Sequence, residues 1–120
     1  MSEELLYMSA AQLVAHYRDR KLSPVEVTKA VLDRIGRLNP VYNAFCVLDE
    51  EHALRSARES EARWRRGAPA GLVDGVPTSV KDLILAKGWP TRRGSRTIDP
   101  NQRWEEDGPP VARMREHGAV

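Results

Sequence analysis

Apolar residues recur at helical spacing in the first part of the chain, directly behind a helix-start signal. Ser9 and Gln12 form a capping box, the pairing of a side-chain oxygen and a glutamine or glutamate three residues on that marks a helix start. Leu13 and Tyr17 follow on one face of the helix that this predicts. The pattern ends near Lys21, so the first helix is short.

A second and stronger helix start comes at Ser23. Its hydroxyl is placed to cap the helix, Pro24 suits the first helical position, and Glu26 completes a capping box. The apolar positions then recur with a period close to 3.6, at Val27, Val31, Ile35 and Leu38. We expect this helix to stop at Asn39, because the residue before a proline is pushed out of the helical region of backbone conformation.

Two apolar runs predict strands. Residues 43–48 form a short run that is continuously apolar from position 44, and residues 76–85 alternate loosely between apolar and polar. Both are expected to be buried, with Cys46 as a small core residue of the first strand. Residues 67–75 are rich in glycine, alanine and proline and predict a loop.

Two further helices are predicted around these strands. Asp49 is placed to cap the first of them, and Gly67 to end it. Its inward stripe is expected to contain Ala53, Leu54, Ala57 and Trp64. Asp107 is expected to cap the last helix, which Gly118 ends. The resulting order of helix, helix, strand, helix, strand, helix predicts an α/β architecture, with helices packed on the edge of a mixed β-sheet.

Composition narrows the class of protein. A chain of 120 residues that is 41% hydrophobic and 30% charged is long enough for one small domain or part of a larger one, and its apolar content is that of a globular protein. A lone cysteine excludes an intrachain disulfide, which favours a reduced, cytoplasmic setting. The start lacks a basic signal region, and the apolar runs are too short to span a membrane. We therefore expect no membrane association.

Charge and histidine spacing argue against two kinds of site. The net charge is only +2, and the basic cluster at residues 63–66 is typical of a solvated helix end, so nucleic-acid binding is not expected. His16, His52 and His117 lie on separate predicted helices without the spacing of metal ligands, so no metal site is predicted.

Candidate chemistry lies in residues 75–82, which read Gly-Val-Pro-Thr-Ser-Val-Lys-Asp. In a strand, Ser79 and Lys81 share one face. Burial of an unpaired lysine favours the neutral amine, which can act as a base toward a serine hydroxyl. On pattern alone there is a simpler interpretation, in which the lysine extends to water and the serine is inert.

This segment resembles the signature of the amidase signature family, a glycine, an aliphatic residue and a proline, then two variable residues, an aliphatic residue and lysine-aspartate. The similarity extends upstream to residues 23–27, 35–40 and 43–45. Downstream it includes Gly88-Trp89-Pro90-Thr91, Gly94-Ser95, Asp107, residues 110–115 and residues 118–120. Each piece alone is weak, whereas the ordered set covers nearly the whole chain.

The resemblance implies the opening part of an α/β/α amidase fold, with residues 1–120 as the N-terminal part of a single amidase domain whose remainder is absent. Enzymes of this family use a serine nucleophile, a second serine in a cis peptide, and a lysine. Only the lysine maps here, onto Lys81, and both serines are expected beyond residue 120. Ser79 stands at a variable family position and Ser95 at one of structural role, so neither is assigned to catalysis, and Asp82 is expected to bond to nearby backbone.

The implied activity is hydrolysis of a small-molecule carboxylic amide to an acid plus ammonia or an amine, through an acyl-enzyme and without cofactor or metal. The segment alone is expected to be inactive. Three alternatives stay open: an A-type amidotransferase subunit for transfer-RNA-dependent amidation, a non-catalytic relative, and a basic binding module. The amphipathic N-terminal helices leave a homodimer as a candidate assembly.

Overall fold

The computed structural model describes residues 3–120, which form one 3₁₀ helix and four α-helices joined by irregular segments. The 3₁₀ helix, Glu3–Tyr7, has no counterpart among the predicted elements. The α-helices are α1 (Ala10–Arg18), α2 (Pro24–Tyr42), α3 (Glu50–Arg65) and α4 (Pro109–Glu116). None of them is long and apolar enough to cross a bilayer.

The first three α-helices begin where the capping signals predict. In α1, Ser9 Oγ accepts from the Gln12 amide at 3.2 Å while the Ser9 amide donates to Gln12 Oε1 at 2.8 Å. The equivalent box at Ser23 and Glu26 starts α2, with distances of 3.1 and 2.8 Å. Both predictions are confirmed, because each box joins groups only three residues apart and needs no tertiary contact.

The predicted end of α2 at Asn39 is wrong, since the helix continues through Pro40 to Tyr42. Pro40 has no amide to bond to the Gly36 carbonyl, and the helix extends only two residues beyond it. The Asn43 amide then donates to the Asn39 carbonyl at 2.7 Å. Asn43 itself has a left-handed backbone (φ 50°), and it ends the helix.

The predicted cap of the last helix is also wrong, because α4 is preceded by Gly108 rather than by a capping side chain. The carboxylate of Asp107 instead accepts from the Lys87 amide at 2.7 Å and forms an ion pair with Arg115 at 3.1 Å. It thus ties the turn at residues 86–89 to α4. The stop at Gly118 is confirmed by its backbone angle, φ 81°.

The core lies where the 3₁₀ helix, α1 and α2 meet. It is built from buried aliphatic side chains and one tyrosine, and half-buried Trp64 of α3 and Val76 pack against it. Its buried members are Leu5, Leu13, Tyr17, Val27 and Ala30. The predicted inward face of α1 and the start of that of α2 are therefore confirmed, whereas Leu38 at the end of α2 is exposed.

The two predicted strands are not present as strands among residues 3–120, and the mixed sheet is not formed there. Residues 43–48 are irregular and exposed, so the prediction that Cys46 is a core residue is wrong. A strand forms only when its backbone pairs with that of a neighbouring segment, and no backbone hydrogen bond joins residues 44–48 to another described segment. Apolar composition alone does not supply that neighbour.

Two sheet-like contacts do occur, an isolated antiparallel bridge between Ala86 and Trp89 and a parallel contact at Val120. The Val120 amide donates to the Val76 carbonyl at 3.0 Å, and the Thr78 amide donates to the Val120 carbonyl at 2.7 Å. In parallel strands, a residue bonds to the two residues that flank the position opposite it, and Val120 bonds in this way. Residues 76–78 thus run parallel to the end of the segment that follows α4.

Candidate functional site

The segment that carries Lys81 is held at both ends. Upstream, the Gly75 amide donates to the Gly118 carbonyl at 2.9 Å, next to the parallel contact with Val120. Downstream, the Arg92 amide donates to Asp82 Oδ1 at 2.8 Å and the Arg93 amide to the Asp82 carbonyl at 3.1 Å. Asp82 therefore bonds to backbone, as its sequence position suggested, and it joins the segment to the turn at residues 91–94.

Lys81 lies between these anchors with an exposed side chain. Its carbonyl accepts from the Leu83 and Ile84 amides at 2.7 and 3.0 Å, which turns the chain sharply after it. Among residues 3–120, no carboxylate forms an ion pair with the Lys81 amine. This exposure differs from the burial on which the sequence argument for a neutral amine was based.

Lys81 lines an open groove with a volume of about 730 Å³. The walls are mainly apolar and come from α2, residues 44–48, the Lys81 segment and α4. Apolar side chains that contribute are Val31, Ile35, Phe45, Val80, Met114 and Val120. Ser79 and Asp82 also line the groove, so the predicted separation of alternate residues onto two faces is not seen.

A polar cluster closes one wall of this groove around the indole of Trp89. The indole Nε1 donates to Asp49 Oδ2 at 3.0 Å, the His52 ring meets the indole edge-on at a centroid distance of 4.8 Å, and the Arg115 guanidinium lies 5.1 Å from the indole centroid. Arg55 Nη2 approaches His52 Nδ1 at 3.1 Å. The spacing of these residues in the sequence does not predict their contacts with Trp89.

Electrostatics follow from these contacts. The hydrogen bonds from Trp89 and from the His52 amide lower the pKa of Asp49. Burial, together with the positive charges of Arg115 and Arg55, lowers the pKa of His52. At neutral pH the wall therefore carries an ionised carboxylate and a neutral imidazole.

A second cluster, absent from the sequence predictions, lies behind the Lys81 segment. Asp74 is 0% exposed and accepts from Arg63 Nε at 2.8 Å and Nη2 at 2.6 Å, and from the Ala70 amide at 2.7 Å. Burial alone would raise the pKa of Asp74, but the hydrogen bonds from Arg63 and Ala70 outweigh it and hold that pKa below its usual value. Part of the basic cluster at residues 63–66 is thus committed to an internal ion pair.

Groups that could hold a metal ion are not found among residues 3–120, where no three or more His, Cys, Asp or Glu side chains come together suitably. The described residues also contain no cis peptide bond. What the site does offer is one free lysine amine at the wall of an apolar groove, in a segment fixed at both ends.

The comparison with protein families decides what this segment belongs to. The amidase family model matches residues 26–120, a range that includes the Lys81 segment, the groove and α4. The chain belongs to the amidase signature family. The resemblance inferred from residues 75–82 and their flanks is thereby confirmed, and so is the assignment to the N-terminal portion of such a protein.

Curated relatives of this amidase-family chain include the A-type subunit of the glutamyl-tRNA(Gln) amidotransferase of Salinispora tropica, 39% identical over 98% of the chain and 24% of that protein. The corresponding mitochondrial protein of Ixodes scapularis is 38% identical over 78% of the chain and 18% of that protein. The chain therefore spans about a quarter or less of these relatives.

Solved amidase structures share the fold of the chain. A bacterial aryl acylamidase of the amidase signature family superposes with a TM-score of 0.86 and 27% identity, over 95% of this chain and 24% of that one. The peptide amidase of Stenotrophomonas maltophilia gives a TM-score of 0.86 and 32% identity, over 95% and 23%. The helices and irregular segments of residues 3–120 thus follow the amidase-signature fold.

Proposed function

We propose that the complete protein hydrolyses a small-molecule carboxylic amide through an acyl-enzyme, with Lys81 as its proton carrier. The observation that carries this proposal is the place of Lys81, in the family's glycine-aliphatic-proline to lysine-aspartate segment and on the wall of the groove. The partners of Lys81 in this proposal are a serine nucleophile and a second serine, both supplied by residues outside 3–120.

The proposed reaction uses the amine twice. When the nucleophilic hydroxyl attacks the amide carbon, its proton passes through the second serine to the neutral Lys81 amine. The ammonium then returns that proton to the leaving nitrogen, the carbon–nitrogen bond breaks, and ammonia or an amine departs from the acyl-enzyme. Water repeats the sequence on the ester, and its proton takes the same path to Lys81 before the nucleophile recovers it. No cofactor or metal enters this balance.

Lysine variants in the complete protein test the proposal. Arginine keeps the positive charge but does not deprotonate, and methionine keeps only the length of the side chain. We expect Lys81→Arg and Lys81→Met to reduce kcat for ammonia release by about 10²–10⁴-fold, the range for loss of a general acid–base. Ser79→Ala is the matched control, because it changes a neighbouring polar residue of the same groove. Near-normal turnover by folded Lys81→Arg overturns the proposal.

A second candidate function is that of an A-type amidotransferase subunit, in which the ammonia released would be passed to a transfer-RNA-bound acyl group. The curated amidotransferase relatives are 35–43% identical to the chain, whereas the solved amidases are 27–32% identical. Lys81 has the same role in both functions. They differ in whether the release of ammonia is coupled to its transfer to a transfer-RNA-bound acyl group. Amide hydrolysis at full rate by the purified protein alone favours the simple amidase, and dependence on partner proteins and glutamyl-tRNA favours the amidotransferase.

A further inference from the structure

The Arg63–Asp74 ion pair is a two-pronged contact with a fixed geometry just before the Lys81 segment. A carboxylate that is 0% exposed has lost its hydration, and it is tolerated only because the guanidinium binds both of its oxygens and the Ala70 amide adds a third bond. Well-packed apolar residues of similar size often stabilise a protein as well as such a pair does. Unlike apolar residues, the pair holds the Asp74 carboxylate in one fixed orientation.

Bonds from other elements converge on the same turn. Trp64 Nε1 donates to the Asp74 carbonyl at 3.1 Å, and Tyr17 Oη donates to the next carbonyl, that of Gly75, at 3.0 Å. A side-chain carbon at Gly118 would lie only 2.6 Å from Asp74 Oδ1, so the segment after α4 is pressed against the carboxylate. Residues 74 and 75 are thus fixed by α1, α3 and the segment after α4 together.

The fixed turn leads directly into the Lys81 segment. Within four residues of Asp74 the chain makes its parallel contact, in which Val76 and Thr78 both bond to Val120. A shift of the turn would break this contact, and Lys81 lies three residues beyond it. The other anchor, Asp82, bonds only to the turn at residues 91–94 and does not tie the segment to α3.

We propose that the Arg63–Asp74 ion pair is a positioning device that sets where the Lys81 amine stands in the groove. The proposal rests on the proposed function, because it assigns the pair a role toward a catalytic lysine. Arg63 and Asp74 are positioning residues and take no part in proton transfer. Misplacement of a catalytic group by about 1 Å can cost on the order of 10²-fold in rate, so a device of this kind has a measurable effect.

Asp74→Asn and Arg63→Lys in the complete protein test the proposal. The first removes the charge of the carboxylate and keeps its shape, and the second keeps the positive charge and loses the two-pronged bond. Arg65→Met is the matched control, since Arg65 lies on the same helix and pairs with Glu61 at 2.9 Å on the surface. If Asp74→Asn does not fold, Arg63→Lys carries the test.

Two measurements are made on each variant. Hydrogen exchange reports the backbone directly, and we expect the amides of Gly75, Thr78 and Val120 to exchange at least tenfold faster while amides inside α1 do not change. Steady-state kinetics report the consequence, and we expect kcat to fall by about 10-fold to 10²-fold with KM nearly unchanged. Arg65→Met is expected to change neither.

The outcomes distinguish a failure of the positioning role from a failure of the proposed function. Unchanged exchange at residues 75–78 overturns the positioning role, and so does an unchanged kcat beside an inactive Lys81→Met. Full activity of Lys81→Met overturns the proposed function itself, and with it the positioning of a catalytic amine. Faster exchange and lower kcat, together with an inactive Lys81→Met, support both.

Discussion

Trp89 Nε1 donates a hydrogen bond to Asp49 Oδ2 at 3.0 Å, across forty positions of sequence. The other oxygen of the same carboxylate accepts from the His52 amide at 2.9 Å and caps α3. One side chain thus starts a helix and holds the turn at residues 86–89 against it. Because Trp89 and Asp49 both line the groove, this bond also fixes one of its walls.

Removing the Asp49 carboxylate is expected to destabilise the protein through both bonds. Asp49→Ala loses a helix cap and leaves the Trp89 indole without its acceptor, for a combined cost of about 1–2 kcal/mol. Asp49→Asn is the control, since its amide oxygen still accepts from a backbone amide. Urea unfolding of the complete protein measures both variants. Equal losses for alanine and asparagine would show that the capping bond from the His52 amide contributes no stability.

The helix cap formed by Asp49 can be predicted from the sequence, whereas its bond to Trp89 cannot. The caps at Ser9, Ser23 and Asp49 are predictable because each joins atoms three residues apart, whatever the rest of the chain does. The family segment around Lys81 is predictable because its residue types are set by chemistry and backbone conformation together. These features place the helices and the candidate lysine.

Contacts between distant positions are not predictable in this way. The Tyr17–Gly75 bond joins residues 58 apart, and Arg63 reaches Asp74 only because a loop returns against α3. An arginine in a basic cluster gives no local signal that it is committed to a buried carboxylate. Residues 43–48 fail as a strand for a related reason, since pairing depends on a neighbour that apolar composition does not specify.

The imidazole of His52 predicts a dependence of stability on pH. Burial lowers its pKa in the folded state, so the unfolded chain binds the proton more readily. Stability should therefore fall as the pH drops below about 6.5, the value for an unperturbed histidine. We expect His52→Gln to flatten this fall between about pH 7 and pH 5, because the contribution of His52 is then absent. Urea unfolding at several pH values measures the difference, and identical pH profiles for the two proteins would contradict the prediction.

Tyr17 predicts a dependence at the alkaline end. Burial raises the pKa of its phenol above the usual value, so the unfolded chain ionises first and stability is lost as the pH rises through about 10. Tyr17→Phe should remove this contribution. It should also cost about 1–2 kcal/mol at neutral pH, because the Gly75 carbonyl loses its buried donor. An unfolding series from pH 8 upward tests both parts, and a Phe variant that keeps the wild-type alkaline slope would refute the assignment to Tyr17.

The turn before the Lys81 segment predicts that Gly75 accepts no side chain. Its φ is 84°, and an added Cβ would lie 2.6 Å from Pro24 Cγ and 2.7 Å from Ser60 Oγ. Gly88 is the matched control, since its φ of 90° is equally unfavourable but nothing lies within 4 Å of an added Cβ. We expect Gly88→Ala to cost about 1–2 kcal/mol through backbone strain alone. Gly75→Ala should cost about 1–3 kcal/mol more, because crowding adds to the same strain.

The difference between the two glycine variants isolates the packing of the turn against α2 and α3. Urea unfolding of the complete protein gives the two losses, and hydrogen exchange at Thr78 shows whether the crowding reaches the parallel contact with Val120. If the two variants lose equal stability, the turn gives way without resistance, and its close packing cannot be what fixes the start of the Lys81 segment. A larger loss of stability for Gly75→Ala, together with faster exchange of the Thr78 amide, would show that packing at the turn fixes the start of the Lys81 segment. Asp74 and Tyr17 form their bonds at the same turn.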